Sequence, residues 1–92
     1  MDTARPDWPA TVDEAAERII SGMSDEDKAL VRSTKRGGLL MFHHGWGTGI
    51  RNEFGLWQGN TALLESCGAI HPDGCSMVII ERVWERLQED GS

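Results

Sequence analysis

Residues 39–57, LLMFHHGWGTGIRNEFGLW, decide the fold. They place two tryptophans, two phenylalanines, two adjacent histidines and four glycines in nineteen positions. The run is too apolar for a loop and too rich in glycine for an ordinary helix. Leu39, Phe42, His43, Trp46, Ile50, Phe54 and Trp57 nevertheless recur at spacings of three and four, the pattern of one helical face. Gly45, Gly47 and Gly49 each cost ~1 kcal/mol relative to alanine inside a helix. Three of them would melt an isolated helix, so close packing against a neighbouring backbone must offset them. The spacing predicts a helix from Leu39 to Phe54, irregular near Gly47 and ended by Gly55. Its aromatic side would be the centre of the core.

Upstream, Lys35-Arg36-Gly37-Gly38 reads as a turn. Before it, Ser24 is suited to cap a short helix whose first turn carries Asp25, Glu26 and Asp27, charges that favour the positive end of the helix dipole. Ala29 and Leu30, with Val31, are expected to face inward. Thr11-Val12-Asp13-Glu14 is a capping box. The helix it starts puts Val12, Ala15, Ala16, Ile19 and Ile20 on one face, and Gly22 ends it. Residues 1–10 read as an extended arm because Pro6 and Pro9 bias Arg5 and Trp8 away from helix. Trp8 is the residue of the arm able to anchor it on the domain.

Downstream, Asn60 or Thr61 caps a short helix through Cys67, stopped by Gly68. A loop with His71-Pro72 follows. The last helix starts at Asp73 or Ser76 and runs to about Gln88, with Met77, Ile80, Val83, Trp84 and Leu87 as its apolar face. Glu81, Arg82, Glu85 and Arg86 make the wet face. Glu81 with Glu85, and Arg82 with Arg86, repel at i,i+4, so the surface charges are expected to add little. No segment alternates with a period of two. The fold class is therefore all-α: a single small domain, residues 11–89, of four to five short helices around the glycine-rich aromatic helix, with a tail over 90–92.

The chain of 92 residues is too short for a second domain. Its net charge of −6 argues against binding nucleic-acid phosphates, which needs a clustered basic face. The acidic residues are dispersed, which also argues against mimicry of DNA. No run approaches the ~18 apolar residues of a membrane span. The stretch MDTARPDWPA lacks the basic and apolar regions of a secretion signal, so a cytoplasmic location is expected.

Few residues suggest chemistry. His43 and His44 point about 100° apart on a helix and cannot share a metal as i,i+4 histidines do. His43 lies on the apolar stripe and reads as a core histidine. His44 shares a flank with Arg51, and an exposed His44/Arg51 patch with Asn52 or Glu53 nearby suits an anion or a partner's carboxylate. Cys67, His71 and Cys75 are spaced four and four, and with His43 or His44 they make a weak Cys₂His₂ zinc candidate. The ordinary expectation is two reduced, partly buried thiols, although cysteines flanking so short a loop can approach closely enough to oxidise. Gly45-Trp46-Gly47-Thr48-Gly49 matches a dinucleotide-binding loop poorly, because the third glycine comes too early. A catalytic reading would use His43 or His44 as base with Glu53 and Arg51 in support. No nucleophile setting surrounds Ser66, Cys67 or Cys75, and so small a domain has little room for a pocket of ~300 Å³. Neither an enzyme nor a bound cofactor is expected.

FHHGWGTGIRNEFGLWQGN, followed by HPDGCSMVIIERVWERL, resembles a family of small bacterial domains of unknown function. The family pattern opens with a T-x-x-E-A helix, as at Thr11 to Ala15. It continues through F-H-x-G-x-G-x-x-I-R-N-x-F-G-L-W, as at Phe42 to Trp57. It ends with H-P-D and I-I-E-x-x-W, as at His71 to Asp73 and Ile79 to Trp84. The likeness spans Thr11 to Leu87 and implies no activity. The chain departs from it at Gly74 and Cys75, where the resemblance implies an acidic and a larger apolar residue. A zinc site common to the family would not depend on Cys75.

The expected function is a non-enzymatic protein-interaction or accessory domain, of immunity, anti-defence or regulatory type. It would present His44, Arg51, Asn52 and Trp57 to another protein or to a second copy of itself, since Arg and Trp most often anchor interfaces. The alternative is a small-ligand or metal-binding domain using His43, His44, His71 and Cys67/Cys75.

Overall fold

Thr11 turns its hydroxyl onto the Glu14 N–H at 3.1 Å and starts α1, Val12–Gly22. The Glu14 carboxylate reaches back to the Ala10 N–H at 2.9 Å, closing the capping box one residue early. Ser24 accepts from the Asp27 N–H at 3.1 Å and starts α2, Asp25–Ser33. A 3-10 helix over Arg36–Phe42 follows, then α3 over Trp46–Glu53, α4 over Thr61–Cys67 and α5 over Pro72–Asp90. A computed structural model of the chain describes residues 8–42, 45–68 and 71–90. No strand occurs among the described residues, and the fold is all-α.

The centre of the fold is α5, not the glycine-rich segment. Every other helix packs on it. Its N-terminal half gives Cys75, Ile79 and Ile80 to a core shared with Val12, Ala15, Leu39, Ile50, Phe54, Leu56 and Leu63. Its C-terminal half gives Val83 and Leu87 to a second core with Ala16 and Val31. The helix is longer than its expected limits at both ends. Pro72 suits its first position, where no backbone N–H is needed.

The predicted continuous helix over 39–54 is two elements. Leu39 and Phe42 lie in the 3-10 helix, and Trp46, Ile50 and Phe54 lie in or just after α3. The i,i+3 spacing suits either geometry, because side chains three apart eclipse in a 3-10 helix. The stripe therefore survives the break. Leu39, Ile50 and Phe54 are buried, and Phe42 meets Trp46 edge-on with centroids 5.6 Å apart. Gly45 stands at the N-cap of α3, ahead of Trp46, and offers no side chain to cap it.

α3 ends in a Schellman turn: Gly55 takes φ +69°, and the Leu56 N–H bonds the Arg51 carbonyl at 3.0 Å. That turn ends the helical period, so Trp57 leaves the stripe and stands 55% exposed. Trp8 folds back over the same turn. A Cβ at Gly55 would collide with its ring. Asn60 caps α4 through the Leu63 N–H and also donates to the carbonyls of Phe54 and Pro9, at 2.8 and 3.0 Å.

Two expectations about packing are reversed. In α2 only Val31 is buried, whereas Ala29 and Leu30 are exposed. Polar contacts hold this helix: Arg32 Nε donates to the Leu87 carbonyl, Gln88 Nε2 to the Arg32 carbonyl and Trp84 Nε1 to the Thr34 carbonyl, at 3.0, 2.9 and 2.7 Å. The charged face of α5 is not simply solvated. Arg82 and Arg86 both pair with Asp13 of α1, Arg86 also with Glu17, and Arg36 reaches Glu81 and Glu85.

Candidate functional site

Most of the residues singled out from the sequence meet at the N-terminal end of α5. Arg51 is not part of an exposed patch. Its side chain is 9% exposed and is spent on three partners. Nη1 donates to Ser76 Oγ and Nη2 to Thr48 Oγ1, each at 2.9 Å, while Nε faces Asp73 Oδ1 at 3.3 Å. The Nε contact is an ion pair without hydrogen-bond geometry. Gly47 explains why a guanidinium fits here. A Cβ at that position would stand 3.2 Å from Arg51 Nη1 and 3.5 Å from Ser76 Oγ. The close approach this glycine permits is to the Arg51 and Ser76 side chains, not chiefly to a neighbouring backbone. Arg51 thus fastens α3 to the first turn of α5.

Asp73 links this buried network to the surface. Its backbone N–H donates to His71 Nδ1 at 3.1 Å, so the imidazole serves as the N-cap of α5. His71 is exposed and meets Trp57 edge-on, with centroids 5.6 Å apart and planes at 90°. Arg51, Asp73, His71 and Trp57 therefore form a continuous path from the core to solvent. Asn52 is exposed on α3 beside Arg51 in sequence. His43 and His44 lie outside the described residues.

The two cysteines are not free thiols. Cys67, the last residue of α4, is disulfide-bonded to Cys75 in the first turn of α5, with Cα atoms 5.2 Å apart. Gly68, at φ +71°, turns the chain back at the end of α4 and makes this approach possible. The bonded sulfurs cannot act as the thiolate ligands of the Cys67, His71 and Cys75 zinc candidate. Among the described residues no group of three or more His, Cys, Asp or Glu side chains is placed to hold a metal ion.

Sequence reasoning overlooked Thr48, Asp73 and Ser76 as partners of Arg51. Ser76 carried a signal. It lies four residues before Ile80 and seven before Val83, on the buried face of α5, where a hydroxyl needs a partner. Elsewhere an open cleft of about 820 Å³ separates α1 from α3, walled by Trp8, Ile19, Trp46 and Phe54 with Arg18, Asp27 and Glu53 among its lining residues. Trp57, His71 and Asp73 do not line it.

A family model described as Domain of unknown function (DUF6794) matches residues 8–87. No curated protein and no solved structure matches the chain. No described helix is long and apolar enough to cross a membrane.

Proposed function

The chain belongs to the DUF6794 family, whose description carries no activity, and we propose from the site itself that it is a non-enzymatic protein-interaction domain docking through Trp57. The observation that carries this reading is a tryptophan that stands 55% exposed while its ring packs edge-on against His71. The Schellman turn fixes the backbone on one side of it, and the imidazole that caps α5 supports its ring on another. A large amphipathic ring held ready in this way loses little freedom on binding, which is why tryptophan is enriched among interface anchors. His71 supplies a polar group beside the ring. Arg51 is a positioning residue beneath this surface, not a contact on it. The partner is another protein or a second copy of the chain.

A photo-reactive phenylalanine analogue at position 57 tests the reading in cells that naturally make the protein, with sedimentation to follow self-association. It should crosslink one partner in stoichiometric yield. Trp57→Ala should weaken that association at least tenfold, equivalent to about 1.4 kcal/mol, and leave the thermal midpoint unchanged. Full-strength association by a folded Trp57→Ala protein would overturn the assignment.

A further inference from the structure

We propose that the Cys67–Cys75 bridge is a reversible thiol–disulfide site, opened by a dithiol from the Cys67 side, that sets how firmly α4 and His71 are held on α5. The two sulfurs differ in access. Cys75 is fully buried among the residues of the first core, whereas Cys67 is partly exposed at the end of a seven-residue helix. An incoming thiolate therefore attacks Cys67 Sγ. The S–S bond breaks, and Cys75 leaves as a thiolate in the first turn of α5, near the positive end of the helix dipole. The second thiol of the reductant then displaces Cys67 from the mixed disulfide. The dithiol becomes a disulfide, and its two electrons and two protons end on the two protein thiols.

The consequence of opening is local. Leu63 remains an apolar anchor of α4 in the core, Asn60 still caps its first turn, and the Val12 N–H still reaches Ser66 Oγ at 3.0 Å. The last turn of α4 loses its covalent tie, and a helix of seven residues has little stability of its own. His71 stands four residues before Cys75, so the cap of α5 and the support of Trp57 lie next to the bond that breaks. This inference concerns the order of α4 and His71, and it stands whether or not Trp57 docks a partner.

The test compares the oxidised full chain with the same protein in dithiothreitol and with Cys67→Ser. Cys75→Ser is avoided, because it would place a hydroxyl in the core. Hydrogen exchange should quicken at least tenfold over residues 61–75 in the reduced protein and in Cys67→Ser. Amides of α1 and of α5 beyond Ile79 should keep their protection. A brief pulse of an alkylating reagent on the reduced protein should label Cys67 before Cys75. Unchanged exchange over 61–75 would overturn the proposal. So would global unfolding on reduction, failure of oxidised glutathione to reform the bridge, or first labelling at Cys75.

Discussion

At the scale of single residues, Arg51 and Trp57 exchange the roles their types suggest. A guanidinium buried with three partners belongs to the fold, and a tryptophan on the surface is free to do something else. Arg51→Ala should lower the free energy of unfolding by about 2–4 kcal/mol, because it leaves the buried Ser76 hydroxyl without its donor and Asp73 without its cation. Denaturant unfolding measures this. Arg51→Lys should recover less than half, since an ammonium cannot span the same fork. The glycines of α3 divide in the same way. Gly47→Ala should destabilise, because its Cβ meets a hydrogen-bonded guanidinium at 3.2 Å. Gly49→Ala meets nothing within 4 Å and should raise stability by about 1 kcal/mol. Opposite signs two positions apart are the outcome to look for in parallel melts.

At the scale of elements, α2 is the weakly held piece. It buries one apolar side chain and relies on three polar bonds to α5 and its own C-terminal turn. Trp84→Phe keeps most of the ring and deletes the donor to the Thr34 carbonyl. It should cost about 1 kcal/mol, with the largest loss of amide protection in α2 when exchange is measured by NMR. Several element ends were legible in the sequence because they are local: the Thr11 and Ser24 caps and the Gly55 and Gly68 turns hold as predicted, and of the two candidates Asn60 and Thr61 it is Asn60 that caps α4, whereas the limits of α5 and the start of the 3-10 helix at Arg36 were not. The split of residues 39–54 was not legible, since a spacing of three satisfies α and 3-10 geometry alike. The pairing of Asp13 and Glu17 with Arg82 and Arg86 was likewise hidden, because it depends on α1 and α5 lying side by side, a tertiary contact that no local spacing encodes. For the candidate site, Trp57 was marked by its type, but its contact with His71 depends on where α5 begins. Arg51 was misplaced because its burial depends on Gly47 being its neighbour across one helical turn.

At the scale of the molecule, α5 runs through both cores, so damage to it should not stay local. Ile80→Ala and Leu87→Ala lie in different cores, yet each should cost about 2–5 kcal/mol and broaden protection loss across all helices. For a domain whose total stability is of order 5–15 kcal/mol, either change should produce a visible unfolded population by NMR. The order of the elements adds a consequence for synthesis. A ribosome delivers α1 to α4 before the scaffold they lean on, and the Asp13–Arg82 contact joins residues 69 apart in sequence. Nascent chains arrested before Ile79 should remain open to proteases, and commitment to the native state should wait until α5 has emerged.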